Sequence, residues 1–316
     1  MTTRPSTWTR IAAAAFVSAW AGVATAETPE TKATDAPAAA PATSPERTTF
    51  LEGFAASLAR ERDYYRAISV WKELRFGAPD PRDRVRYSLS ITHAYRASQR
   101  YASALSASPH VLQSEVATPA QRAEAELLSG ESYLGLKIPF QAEVHLAKGL
   151  ELSAPCSELA ARAELMLGVA RAEAGDWPRA RAYFLRVQNG KSSLAPVGTD
   201  FAAQALKAPD MPQRSPLAAA VLSGLLPGAG QAYTGHWVDA AQAFFFVGAF
   251  AFASFLAYSY EHEGGRPLVL TSISLSLTGI FHISNIIGAE RTARYYNQHQ
   301  RDIYAGGIRD RALALP

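Results

Sequence analysis

The sequence predicts an all-α protein: a solenoid of helical-hairpin repeats followed by a C-terminal transmembrane helical hairpin. Three observations lead there. Between Thr48 and Pro196 a phrase centred on alanine returns about every 38 residues, the mark of stacked repeat units. Residues 238–260 and 268–289 are apolar runs of the roughly 20 residues that a bilayer-crossing helix needs. Charged residues make up 19 % of the chain yet crowd between residues 46 and 214 and almost vanish between 215 and 260, so the two parts are built for different solvents.

Taken in order, residues 1–26 read as a secretory signal peptide. Arg4 and Arg10 form a positive start, 11–23 a short apolar stretch, and Ala24, Thr25 and Ala26 the small residues that a signal peptidase needs. Cleavage before Glu27 removes two of the 31 basic residues and leaves 29 against 28 acidic ones, which argues against nucleic acid as a partner. Residues 27–47 form an Ala/Pro/Thr linker with too little apolar bulk to order itself, so disorder is expected there. Cys156 is the only cysteine, which excludes a disulfide within the chain.

Residues 48–206 hold about four repeats. Ala67, Ala104, Ala142 and Ala180 stand in register at spacings of 37, 38 and 38. Ahead of them by 12 residues come Ala55, Thr92, Gly130 and Gly168, and one helical turn after them Trp71, Ser108, Leu146 and Phe184. Small residues let paired helices approach closely and large ones fill the layer between. Neither helix can bury its face alone, so the units must stack. The second unit fits least well, because Ser108 stands where the others carry bulk.

Over about 150 residues this pattern resembles the tetratricopeptide repeat. The resemblance implies a concave groove that binds a protein or peptide partner. It makes Ala67, Trp71, Ala104, Ala142, Leu146, Gly168, Ala180 and Phe184 packing positions.

Residues 207–216 are a Pro-punctuated linker, and 217–304 are expected to be a membrane domain. Its first apolar stretch, 217–233, should be a short or re-entrant helix, because Pro227 stops it and Gly228 and Gly230 permit a reversal. In the last span Thr271, Ser274, Thr278, His282 and Asn285 recur at three- and four-residue steps and make a polar stripe. Such a stripe must face protein or water, and the small residues Gly248, Ala249, Ala251, Ala253 and Ser254 of the preceding span are its expected contact. His282 and Asn285 are the candidate intramembrane polar site.

The phrase at 223–237, with Pro227, Gly228, Gly230, Gln231, Tyr233 and Gly235, resembles the P-G-x-G-Q-x-Y-x-G signature of small bacterial membrane domains of the TM2 type. Residues 285–300 are similar to the closing segment of those domains. The resemblance implies structural markers and no chemistry. Two spans would return the C-terminus to the periplasm, and three would place Arg291, Arg294, Arg301, Arg309 and Arg311 in the cytoplasm; the positive-inside tendency favours the latter, with 305–316 a tail.

No phosphate loop, zinc motif or nucleophile motif is present, so no catalytic, cofactor or metal site is expected and the chain is read as a non-enzyme. Glu261, His262 and Glu263 are the nearest approach to a ligand cluster. The expected function is an interaction scaffold of the bacterial inner membrane. Its repeats lie in the periplasm and hold a protein or peptide partner, its last helices sit in the bilayer, and those helices offer a surface for homo-oligomers. The alternative is a transport or channel component that works through the polar stripe.

Overall fold

A computed structural model describes residues 44–315, and among them the fold is all-helical with no strand. The expected signal peptide and most of the expected linker lie outside the described residues. Four helical hairpins come first: α1 (Pro45–Arg60) with α2 (Tyr64–Gly77), α3 (Pro81–Ala97) with α4 (Tyr101–Ala107) and the single turn α5 (Pro109–Leu112), α6 (Pro119–Gly135) with α7 (Pro139–Leu152), and α8 (Glu158–Glu173) with α9 (Trp177–Asn189). Then come α10 (Ala195–Lys207), α11 (Pro216–Leu225), the short α12 (Ala229–Tyr233), α13 (Trp237–Glu263) and the 45-residue α14 (Val269–Leu313).

The sequence starts these helices by familiar means. Ser44, Asp63, Asp80, Thr118, Ser157 and Asp176 each accept a hydrogen bond from a first-turn backbone N–H, and several are followed at once by proline. Thr118 and Gln121 cap each other reciprocally.

Each hairpin turns by the same device. Arg62, Gln99, Lys137 and Gly175 all adopt left-handed backbone, at φ 63°, 59°, 61° and 78°, and each lies five residues before its alanine. The next N–H reaches back across the turn, from Asp63 to the Leu58 carbonyl, Arg100 to Tyr95, Ile138 to Tyr133 and Asp176 to Arg171, at 2.8–2.9 Å. Only the fourth turn uses glycine, so the other three carry the steric cost of a left-handed side-chain-bearing residue.

The four register alanines, Ala67, Ala104, Ala142 and Ala180, are completely buried. Beside them one exchange of volume repeats. A Cβ on Gly130 would lie 2.4 Å from Leu146, and one on Gly168 2.4 Å from the Phe184 ring, so the missing side chain of the first helix is the space the second helix fills. In the second unit the two positions are Thr92 and Ser108, and both are buried. Trp71 is only partly buried and packs against the core of the first two units.

α13 and α14 are long and apolar enough to cross a membrane, and Phe244, Phe245, Phe246, Phe252 and Phe255 stand exposed along α13. The buried residues of α13, Ala240, Val247, Ser254 and Glu261, recur every seven residues, the spacing of a left-handed helix pair. Ser254 Oγ meets Thr278 Oγ1 at 3.1 Å and the Phe250 and Phe281 rings stack at 4.6 Å. Of the small residues expected at this contact, only Ser254 is there. Gly248, Ala249, Ala251 and Ala253 point outward, because the contact follows the seven-residue line and they lie off it.

A second difference concerns the end of the chain. Residues 305–313 are the last turns of α14 and not a separate tail. Ile308 and Ala312 are buried in the same apolar cluster as Phe184, Phe201 and Leu146. Arg309 and Arg311 pair with Glu173 and Asp200, so the end of α14 lies against the repeats.

Replacing Gly168 with alanine is expected to cost about 1–3 kcal/mol by overpacking, read as a lower thermal midpoint of the full chain in detergent. Phe184→Leu in the same chain should recover at least half of that loss. A Gly168→Ala protein as stable as the parent would show that this exchange of volume does not set the hairpin.

Candidate functional site

The repeats and the end of α14 together line an open cavity of about 1190 Å³, with Trp71, Tyr101, Leu127, Leu159 and the last residues of α14 on its walls. Beneath it lies a buried ionic centre. The Glu131 carboxylate is fully buried, and it meets Arg96 Nε at 2.5 Å and Arg162 Nε at 2.6 Å, from the helices on either side. One acid thus ties α3, α6 and α8 together, one carboxylate between two guanidinium groups. Arg162 also donates to the Leu315 carbonyl at 3.3 Å, which brings the chain end to the cavity.

The cavity wall is richer in donors than in acceptors. Glu124 is taken by His93 at 2.5 Å, and Glu158 accepts from the N–H and hydroxyl of Ser193 at 2.7 and 3.2 Å. Arg60 and Arg62 also line the cavity. Arg60 donates only to the backbone of its own helix, and buried Nη2 of Arg96 has no hydrogen-bond partner.

A second buried acid on α6, Glu126, is met by His145 Nδ1 at 2.6 Å and Lys148 Nζ at 2.7 Å. Burial pushes its pKa up, but the hydrogen bonds from His145 and Lys148 outweigh burial and hold it below the ordinary value of 4.5. None of these acids stands out by spacing. Their signal in the sequence is that Glu126 and Glu131 interrupt an otherwise small and apolar helix face.

The other end of α14 carries the 223–237 phrase. Pro227 places Leu226 in extended backbone and ends α11, and Gly228 turns the chain with φ +86°. Gly228 and Gly230 are forced by contact. A Cβ on the first would lie 2.2 Å from the Ala240 carbonyl, and on the second 2.0 Å from that of Ala219.

This close approach delivers buried Gln231 to buried Asn285. Gln231 Nε2 donates to Asn285 Oδ1 at 2.9 Å and to its carbonyl at 3.1 Å, while Ser223 Oγ donates to Gln231 Oε1 at 2.9 Å. The N–H groups of Gly230 and Gly228 donate to Ser223 Oγ and Asn285 Oδ1, and Asn285 Nδ2 donates to the Ser223 carbonyl at 3.2 Å. Every hydrogen-bonding group in this knot is met from within it.

The remaining markers pin the linker. The Ser215 N–H donates to Tyr233 Oη at 3.3 Å, and the Arg214 guanidinium lies over the Tyr233 and Tyr296 rings at 4.9 and 5.6 Å. Asn297 exchanges two hydrogen bonds with the backbone of Arg214 at 2.7 and 2.8 Å. Gly235, φ +84°, repeats the left-handed turn of the hairpins, and Trp237 follows it as Trp177 follows Gly175.

The polar stripe of α14 is hydrogen-bonded at every member, although buried Nδ1 of His282 has no partner. Thr271 donates to Glu261, Ser274 to the Thr271 carbonyl, Thr278 to the Ser274 carbonyl, and His282 Nε2 lies 3.1 Å from the Gly224 carbonyl. The partners are α11 and the 223–237 phrase as much as α13. Asn285 therefore belongs to a structural knot, and His282 sits beside it at the end of α11. Glu261 caps the start of α14 by accepting from the N–H groups of Leu270 and Thr271 at 2.7 and 3.0 Å. No group of three His, Cys, Asp or Glu that could hold a metal occurs among the described residues. The sequence matches no protein-family model and no curated protein.

Asn285→Leu strands the Gly228 N–H and the Ser223 carbonyl, at about 1–3 kcal/mol for each buried group left unmet. The expected outcome is a chain that melts earlier in detergent and shows a faster-exchanging Gly228 amide; unchanged exchange would mean that the knot is not holding the turn. The lowered pKa of Glu126 makes its contribution to stability fully present above pH 4.5 and lost as pH falls through the folded-state value. Glu126→Gln should therefore flatten the loss of stability between pH 6 and about pH 3 that the parent shows by urea unfolding.

Proposed function

We propose that this protein is a membrane-anchored interaction scaffold of the bacterial cell envelope, with tetratricopeptide-like repeats on the periplasmic face that hold a protein or peptide partner. The observation that carries this reading is the large donor-rich cavity between the repeats and the end of α14, joined by one unbroken helix to the apolar hairpin. Backbone carbonyls and carboxylates of an extended or helical segment are the groups that would meet Arg60, Arg62 and Arg96 there. Arg309 and Arg311 are bonded to the repeats, so the chain makes an even number of crossings between the repeats and its last turns. Two crossings, α13 and α14, follow from this. The Gln231–Asn285 knot and the α11 end then lie at the repeat-facing end of the hairpin, and Glu261 lies at the opposite end.

The alternative of a transport or channel component needs the polar stripe to be open to a solute. The hydrogen bonds of Thr271, Thr278, His282 and Asn285 to their neighbours leave the scaffold the better supported of the two.

The test is photo-crosslinking in cells from the full-length chain. A crosslinking residue at Gln99, on the cavity wall, should capture a discrete protein that one at exposed Glu151 does not. Identical products from both positions, or none from Gln99, would overturn the scaffold reading.

A further inference from the structure

Beside the donor-rich cavity the repeats carry a second, acidic berth that is already filled, and the way it is filled describes what it prefers. The last turns of α14 lie against α8 and α10. Ile308 and Ala312 are buried, and Tyr304 packs edge-on against Trp177 at 5.6 Å and donates its hydroxyl to the Gln204 carbonyl at 2.9 Å. Arg309 Nη1 reaches Glu173 at 2.6 Å with both side chains about nine-tenths buried, and Arg311 reaches Asp200 at 2.9 Å and lies over the Phe201 ring at 5.0 Å. The acidic side is thus supplied by the repeats and the basic, apolar side by a helix. Burial pushes the Glu173 pKa up, which Arg309 opposes, so the site favours a cationic occupant to keep that acid ionised.

Within this docked segment, after Tyr304 and before Ile308, stand Gly306 and Gly307, inside a helix that otherwise runs unbroken. Glycine in a helix interior costs about 1 kcal/mol relative to alanine. Neither is required by contact, since a Cβ on Gly306 would meet only the far end of Arg309 at 3.6 Å and one on Gly307 nothing within 4 Å. A weak point placed there separates the last docked turns, from Ile308 on, from Tyr304 and the rest of α14.

We propose that residues 308–315 are a hinged, built-in stand-in for the partner. The groove takes an amphipathic helix with a short apolar stripe and two arginines aimed at Glu173 and Asp200, and a partner helix of that chemistry displaces the chain's own end by bending it at Gly306 and Gly307. The proposal rests on the reading of the repeats as a partner-binding domain and names the class of partner. Displacement of the end also moves Leu313, Ala314 and Leu315, which form one wall of the neighbouring cavity, so the berth and the cavity open together.

The test uses the full chain in detergent and a fluorescent peptide carrying residues 302–315 with both glycines replaced by alanine. Ile308→Asp, which frees the built-in end, should raise peptide affinity at least tenfold by anisotropy, and Glu173→Gln added to it should cancel that gain. The double replacement Gly306→Ala with Gly307→Ala leaves the groove intact and stiffens the hinge, and should weaken peptide binding several-fold. Spin labels at exposed Cys156 and at Ala314→Cys should show a broadened distance distribution when peptide is added. Equal peptide binding by the parent and Ile308→Asp, no binding by either, or an unchanged distance with peptide bound would each overturn the proposal. If crosslinking from Gln99 still captures its partner in that case, the scaffold reading survives and only the class of partner is wrong.

Discussion

The packing of the third and fourth hairpins depends on one steric exchange, the absence of a side chain at Gly130 and Gly168 where Leu146 and Phe184 must lie. It brings the two helices of each close enough for Ala142 and Ala180 to reach zero exposure, as Ala67 and Ala104 do in the first two hairpins without a glycine. Stacking of the hairpins places Glu131 where it collects Arg96 and Arg162 from both neighbours.

Much of this was legible along the chain because the repeat writes the same local chemistry four times. Alanines in register, their partners one turn on and the small residues 12 before them are features of single hairpins, and proximity in sequence implies proximity in space. The left-handed turn was harder to see, because Arg62, Gln99 and Lys137 share a backbone angle and no side-chain type.

Long-range pairings were not legible for the opposite reason. Arg309 and Glu173 are 136 residues apart, and nothing near either one announces the other. The polar stripe from Thr271 to Asn285 could be read as a face that must be covered, but its cover comes from three different elements. One of those is the turn at Gly228, whose geometry exists only once Ala240 and Ala219 press against it. The outward position of Gly248 has the same origin: composition marks it as a close-contact residue, and a seven-residue seam decides which side of α13 faces in.

The length of α14 sets a dimension that no side chain does. At about 1.5 Å per residue its 45 residues make a rod roughly 68 Å long, and a bilayer core about 30 Å thick uses less than half of it. Fastened near its middle by the Asn285 knot and the Arg214–Asn297 clasp, and at its end by Ile308, the rod works as a strut. With the hairpin seated in a bilayer as proposed, the height of the repeats above the lipid surface is set by the length of this rod while its end stays docked.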